Sequence, residues 1–237
     1  MLASRDPASV TLLAVSKTFD ADAVRGAHAA GQRLFGENYV QESIAKIDAL
    51  ADLRNGPRAI GWHFIGPLQS NKTRAVAEHF DWVHSVDRLK LAERLSAQRP
   101  AGLPPLQVCL EINISRQASK HGVPPDADSV LALARAVAAL PRLQLRGLMA
   151  VPEPAVDPAA QRAPFAALRA LADRLREAAC PSIRCRWACP PTWKTRSQRA
   201  PPSCASAVRS SGATVRACPR LIPDSPSLYR PFPCSTL

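Results

Sequence analysis

The run VTLLAVS at residues 10–16, followed directly by Lys17, decides the fold. It is apolar without alternation, the pattern of a strand covered on both faces, as in a parallel sheet with helices outside it. Asp20 then has the position of a helix N-cap, the helix runs to about Ala30, and Gly31 closes it as the C′ residue. The unit recurs. Strand 33–38 leads to a helix over 40–51, strand 62–66 to a helix over 72–79, and strand 82–86 to a helix over 88–98. Strand 107–114 leads to a helix over 127–139, and strand 144–151 to a helix over 159–179. Each helix is long enough for a right-handed crossover, so six consecutive units predict an α/β fold with a parallel sheet.

A doubly wound sheet and an incomplete (β/α)8 barrel both fit that pattern. Polar residues decide between them. Lys17, Asn38, His63, Asp87, Asn113 and Ser115 fall where strands end, and a barrel gathers all strand ends on one rim, where sites are built. A doubly wound sheet would direct a ligand to one switch point. No G-x-G-x-x-G follows the first strand, which argues against a dinucleotide site. The expectation is a TIM-barrel-like fold with six β–α units and the last two replaced.

The chain changes character near Ala179. The formal charge is +12, from 31 Lys and Arg against 19 Asp and Glu. Residues 1–179 hold 22 bases and 18 acids, a net of +4, and residues 180–237 hold nine bases and one acid, a net of +8. Neither part has a compact basic run with interleaved aromatics, so no nucleic-acid partner is expected. Six of the seven cysteines and ten of the 23 prolines also lie beyond Ala179. No C-x-x-C pair and no histidine occurs there, which speaks against zinc. Cys109, alone in the front part, reads as a small buried hydrophobe. Residues 1–7 lack an apolar signal-peptide core and no apolar run reaches the length of a membrane span, so a cytoplasmic protein without membrane attachment is expected. The division predicts a barrel domain over 1–179 and a disordered tail over 180–237.

Burial disfavours the charged form of a lysine, and a neutral amine attacks an aldehyde to form a Schiff base. A strand-end lysine whose head simply reaches solvent is the plainer alternative for Lys17. His63 and His84 read as hydrogen-bonded structural residues, since no third ligand shares their spacing. Ser70 and Asn71, after Gly66-Pro67, fit helix capping as well as anion binding. Glu111, inside an apolar strand, is expected to point into the barrel.

Whole words of sequence carry more than single residues: LLAVSKTF (12–19), FGENYVQE (35–42), WHFIGPLQSNK (62–72), HSVDR (84–88), EINIS (111–115), SKHG (119–122) and LRGLMAV (145–151). In this order and spacing the chain resembles the YggS/PROSC-type pyridoxal-phosphate homeostasis proteins over residues 5–179. The resemblance implies the barrel of the alanine racemase N-terminal domain. It implies that Lys17 forms the internal aldimine with pyridoxal 5′-phosphate (PLP), that Asn38 lies beside the cofactor and that Met149 lines its pocket. Lys120 matches a second lysine implicated in cofactor handling. The function implied is a monomeric protein that holds and exchanges PLP, with apo PLP-enzymes as receivers and no substrate turnover. A PLP-dependent racemase-like enzyme and a truncated, non-functional product are the alternatives. Racemases of this type carry a second, β domain with a further catalytic base, for which this chain has no residues left.

The resemblance stops in two places. Family members begin with a helix before the first strand, and they continue past Ala179 with a strand ending in Ser-Met-Gly-Met-Ser, a helix, and a strand resembling Val-Arg-Ile-Gly. Those later segments hold the cofactor phosphate. Taking the third base of each codon with the first two of the next, Trp187–Ala188 forces Gly and Trp193–Lys194 forces Glu. From Ala179 onward the degenerate positions permit LPLDTLSMGMSADLEDAI, and residues 203–212 permit VRVGSALFG. Both missing words return in order, so a shift of reading frame close to Ala179 is the simplest account of the tail.

Overall fold

The computed structural model describes residues 11–117, 120–153, 157–178 and, as backbone only, 184–187. Seven strands form one parallel sheet: β1 (Ala14–Val15), β2 (Leu34–Glu37), β3 (Gly61–Phe64), β4 (Trp82–Val86), β5 (Leu106–Glu111), β6 (Leu143–Ala150) and β7 (Arg184–Trp187). Their spatial order equals their chain order. A doubly wound sheet reverses direction at its switch point, and this one never does, so it is the wall of a barrel. Between consecutive strands run α1 (Ala21–Ala29), α2 (Val40–Ala49), α3 (Thr73–His79), α4 (Leu89–Gln98), α5 (Ala127–Ala138) and α6 (Pro158–Glu177).

Local chemistry places these elements. Asp20 Oδ1 accepts from the Ala23 N–H at 2.8 Å and caps α1, and Gly31 takes φ 105° just past its end. Asp126 and Asp157 cap α5 and α6 in the same way. Ser70 and Asn71 do not act as caps: they form a single 3-10 turn before α3, and Thr73 Oγ1 donates back to the Ser70 carbonyl at 2.9 Å.

The six expected β–α units are present, and a seventh strand is added to them. β7 runs parallel to β6, with Gly147 opposite Arg184 and Ala150 opposite Trp187. The outer edge of β6 offers unpaired backbone groups that any extended segment satisfies without a particular side-chain pattern. The remainder of the expected tail, 180–183 and 188–237, lies outside the described residues.

Helix-facing side chains make the main core. Phe35, Trp62, Phe64, Phe80, Val108 and Leu110 are almost fully buried there against Val24, Ile47, Val76, Leu91 and Leu95 from the helices. Leu13, Cys109 and Met149 are also buried but stand outside that cluster, on the opposite face of the sheet. Cys109 is thus the buried thiol expected. At the N-terminal ends of the strands, Arg99 (3 % exposed) donates to the Ala77, Phe80 and Pro104 carbonyls, and Asp81 binds the Trp62 N–H and Arg54. That end is clamped for stability, which leaves the other rim for ligands.

Candidate functional site at the C-terminal rim

Lys17 sits in the turn that leaves β1, where the Phe19 N–H donates to the Ser16 carbonyl at 3.0 Å. Its side chain is half-buried, and its ammonium makes no hydrogen bond or ion pair among the described residues. The β1–β2 register pairs Ala14 with Phe35 and Val15 with Gly36. It is carried one step further by the Ser16 N–H on the Gly36 carbonyl at 2.9 Å and by Ser16 Oγ on Glu37 Oε1 at 2.5 Å. The next pair in that register is Lys17 and Asn38. Two residues that sequence separates by 21 positions therefore follow the C-terminal ends of neighbouring strands, β1 and β2.

Asn38 is held at the exit of β2 with its side-chain oxygen enclosed. Its Oδ1 is buried and has no hydrogen-bond partner among the described residues, a condition that costs about 1–3 kcal/mol. Gly66 explains how the residue is seated. A Cβ at position 66 would lie 2.3 Å from the Asn38 carbonyl oxygen and 2.8 Å from its Cα. Only glycine lets the chain leaving β3 pass this close. Gly66→Ala is expected to push the Asn38 backbone away and to destabilise the fold by about 1–3 kcal/mol. A thermal melt checks the stability change and a ligand titration the displaced Asn38; an unchanged melt would contradict the contact.

His63 and His84 lie within β3 and β4 rather than at their ends. Both are buried, with His63 Nδ1 and His84 Nε2 2.9 Å apart, and the Trp82 ring stacks on His63 at 5.2 Å and 8°. The hydrogen bonding expected for them is present, each with the other as partner. They floor the barrel beneath the rim, because register partners share a face and His63 pairs with Trp82.

On the far wall Met149 (2 % exposed) is the register partner of Glu111. Burial, with the Asp87 carboxylate nearby, pushes the Glu111 carboxyl up to about 7. Below its ordinary 4.5 both folded and unfolded chains hold the proton, and the group costs nothing. Between 4.5 and about 7 the folded chain keeps a proton that the unfolded chain has lost, so stability falls as pH rises. Above that range the whole cost remains, about 3 kcal/mol. Glu111→Gln is expected to be more stable than the parent by up to that amount at pH 8 and nearly equal to it at pH 4.5. Urea titrations at the two pH values test this, and equal gains at both would refute it.

Lys120 belongs to a loop folded back on β5. Val123 bridges Ile112, with the Val123 N–H on the Glu111 carbonyl at 2.7 Å and the Asn113 N–H on the Val123 carbonyl at 2.9 Å. Gly122, at φ 111°, makes the return possible, since a Cβ there would meet Asn113 N at 2.7 Å. Asn113 Nδ2 holds the Gln117 and Lys120 carbonyls. Lys120 Nζ reaches Ser115 Oγ at 3.4 Å and Glu153 at 3.8 Å, beside a cleft of about 230 Å³ lined by Glu111, Asn113, His121 and Val151.

The structure thus places Lys17 and Asn38 just beyond the ends of neighbouring strands and Met149 on the inner wall of the same barrel. Sequence reasoning missed Gly66 and a buried pair, Glu37 and Lys46. The second had a signal: Ser43, Lys46 and Ile47 fall at helical spacing on the stripe of α2 that also carries Val40.

A parallel barrel with a rim lysine defines the class, and comparison with known proteins narrows it. The model of the alanine racemase N-terminal domain matches residues 2–189. The pyridoxal phosphate homeostasis protein of Pseudomonas aeruginosa is 64% identical over 169 residues, which cover 71% of this chain and 70% of that protein. PipY of Synechococcus elongatus PCC7942, solved with PLP bound, superposes with a TM-score of 0.71 at 36% identity, covering 84% of this chain and 91% of PipY. Without PLP, the same protein gives a TM-score of 0.74 at 38% identity. Alanine racemase from Corynebacterium glutamicum, at 16% identity and a TM-score of 0.58, shares the fold over 55% of its own length. The chain belongs to the pyridoxal phosphate homeostasis protein family, built on the alanine racemase N-terminal-domain fold. Among the described residues no helix is long and apolar enough to cross a membrane.

Proposed function

We propose that this chain binds PLP at the C-terminal rim and serves intracellular PLP homeostasis, holding the cofactor covalently on Lys17 and releasing it unchanged. The observation that carries this reading lies at the exits of the neighbouring strands β1 and β2: an amine without a partner among the described residues on one, and a buried side-chain oxygen without a donor among them on the other. PLP supplies an aldehyde for the first and a ring hydroxyl for the second. When bound, PLP would supply an aldehyde that condenses reversibly with an amine, releasing water, and Lys17 is the residue that would hold it. Asn38 would hold the ligand through its side chain, and Met149 would offer an apolar wall. The PLP-bound structure of PipY and the name of the Pseudomonas relative support the same ligand.

Holding without turnover distinguishes this role from racemisation, which needs two groups to move a proton on and off a substrate carbon. In this reading the protein is a cytoplasmic monomer and apo PLP-enzymes are its receivers. The test is a PLP titration followed by visible absorbance, with alanine added afterwards in heavy water. A Schiff-base band that forms without deuterium entering alanine supports the carrier. Deuterium at Cα would make the protein a racemase-like enzyme. No band at all would mark a chain that does not bind.

A further inference from the structure

We propose that the buried Glu37–Lys46 pair is a positioning device that aims the Lys17 amine, an inference that rests on the reading that Lys17 carries the cofactor. The two charges are almost completely enclosed, at 1 % and 9 % exposure, and stand 2.7 Å apart between the sheet and α2. Every polar contact they make serves the chain beside the site. Lys46 Nζ donates to the Ser16 carbonyl at 2.6 Å, and Ser16 Oγ donates to Glu37 Oε1 at 2.5 Å. Residue 16 is therefore gripped by its carbonyl and by its side chain, one peptide before Lys17. Ser43 Oγ, 3.5 Å from Glu37 Oε2, also donates to the Tyr39 carbonyl at 2.5 Å, one residue after Asn38.

Stability alone gives no reason for such a pair. Desolvating two charges offsets most of their attraction, and well-packed apolar residues of similar volume serve a core as well or better. The need here is local. β1 contains only two residues, Ala14 and Val15, so its own ladder ends before Lys17. A lysine on a frayed strand end would sample many directions, while attack on an aldehyde demands one. Glu37 and Lys46 lie on the helix-facing side and act through the backbone, so they touch neither Lys17 Nζ nor its ligand.

The experiment compares the parent with the volume-matched double variant Glu37→Leu/Lys46→Met. Three readouts are taken: the thermal melt, the affinity for pyridoxine 5′-phosphate (which has no aldehyde), and the rate at which PLP becomes covalently attached. Borohydride reduction and peptide mapping locate the adduct. Expected are a melt at or above the parent's, an analogue affinity within about twofold, and attachment slowed about 10- to 100-fold. Ser16→Ala, which removes one hydroxyl and keeps the ion pair, is expected to show the same split at smaller amplitude and guards against a double variant that does not fold. Attachment at the parental rate in either folded variant, with the adduct on Lys17, would overturn the positioning role and leave the PLP reading intact. An adduct on another lysine in the parent would overturn both.

Discussion

Lys17→Ala is expected to abolish covalent attachment of PLP altogether. Lys46, whose ammonium reaches the Ser16 carbonyl one residue before Lys17, is buried on the other face of the sheet and held there by Glu37 and that carbonyl. Lys120 stands on the β5 side of the rim, on a loop tied down by Asn113. Residual affinity in the variant would report the contacts of Asn38 and Met149 alone. Intact-mass spectrometry after borohydride reduction reads the result. A pyridoxyl adduct of unchanged yield, mapped to Lys120, would transfer the role to that residue.

The second large effect concerns the tail. Restoring the reading frame near Ala179 is expected to strengthen PLP binding by several orders of magnitude. By the family resemblance, the words recovered in the shifted frame belong to segments that hold the cofactor phosphate, and barrels commonly build phosphate sites after their seventh and eighth strands. Charge-assisted bonds from backbone N–H groups contribute about 1.5–3 kcal/mol each. Two or three of them amount to roughly 3–9 kcal/mol, and each 1.4 kcal/mol is a tenfold change in affinity. The match to the family model ends at residue 189, close to the proposed break. Titrating the two chains side by side measures the difference. Equal affinity would mean that residues 180–237 replace the phosphate site and that the frame account is wrong.

Much of this molecule was legible in its sequence because its signals are local. The apolar runs, the Asp20 cap and Gly31 needed no tertiary knowledge, and six β–α units followed from them. Where the reading slipped, distant partners decide. Residues 10–16 read as one long strand, yet among the described residues only Ala14 and Val15 pair as a ladder, with β2 alone. His63 looked like a strand-end residue and is a floor residue, because pairing with β2 begins at Gly61 and stops at Phe64. Ser70 and Asn71 suit a cap by residue type, but the chain makes a 3-10 turn there.

The site divides in the same way. Lys17 and Asn38 were named from sequence words, and the register explains why those words belong together. The stripe of α2 marked Lys46 as buried, but the roles of Gly66 and of the Glu37–Lys46 pair could not be read, because they lie in what approaches them. A glycine is needed only because Asn38 passes within 2.3 Å of its would-be Cβ. A lysine on the buried stripe of a helix makes sense only once a carboxylate faces it from the sheet.

Where PLP attaches to the parent chain decides whether Lys17 is the carrier. The direct measurement is to saturate the protein with PLP, reduce with borohydride, digest, and locate the pyridoxyl group by mass spectrometry. A single modified site at Lys17, blocked in advance by excess pyridoxine 5′-phosphate, is the result predicted. Modification scattered over surface lysines in proportion to their exposure, and unaffected by the competitor, would contradict it.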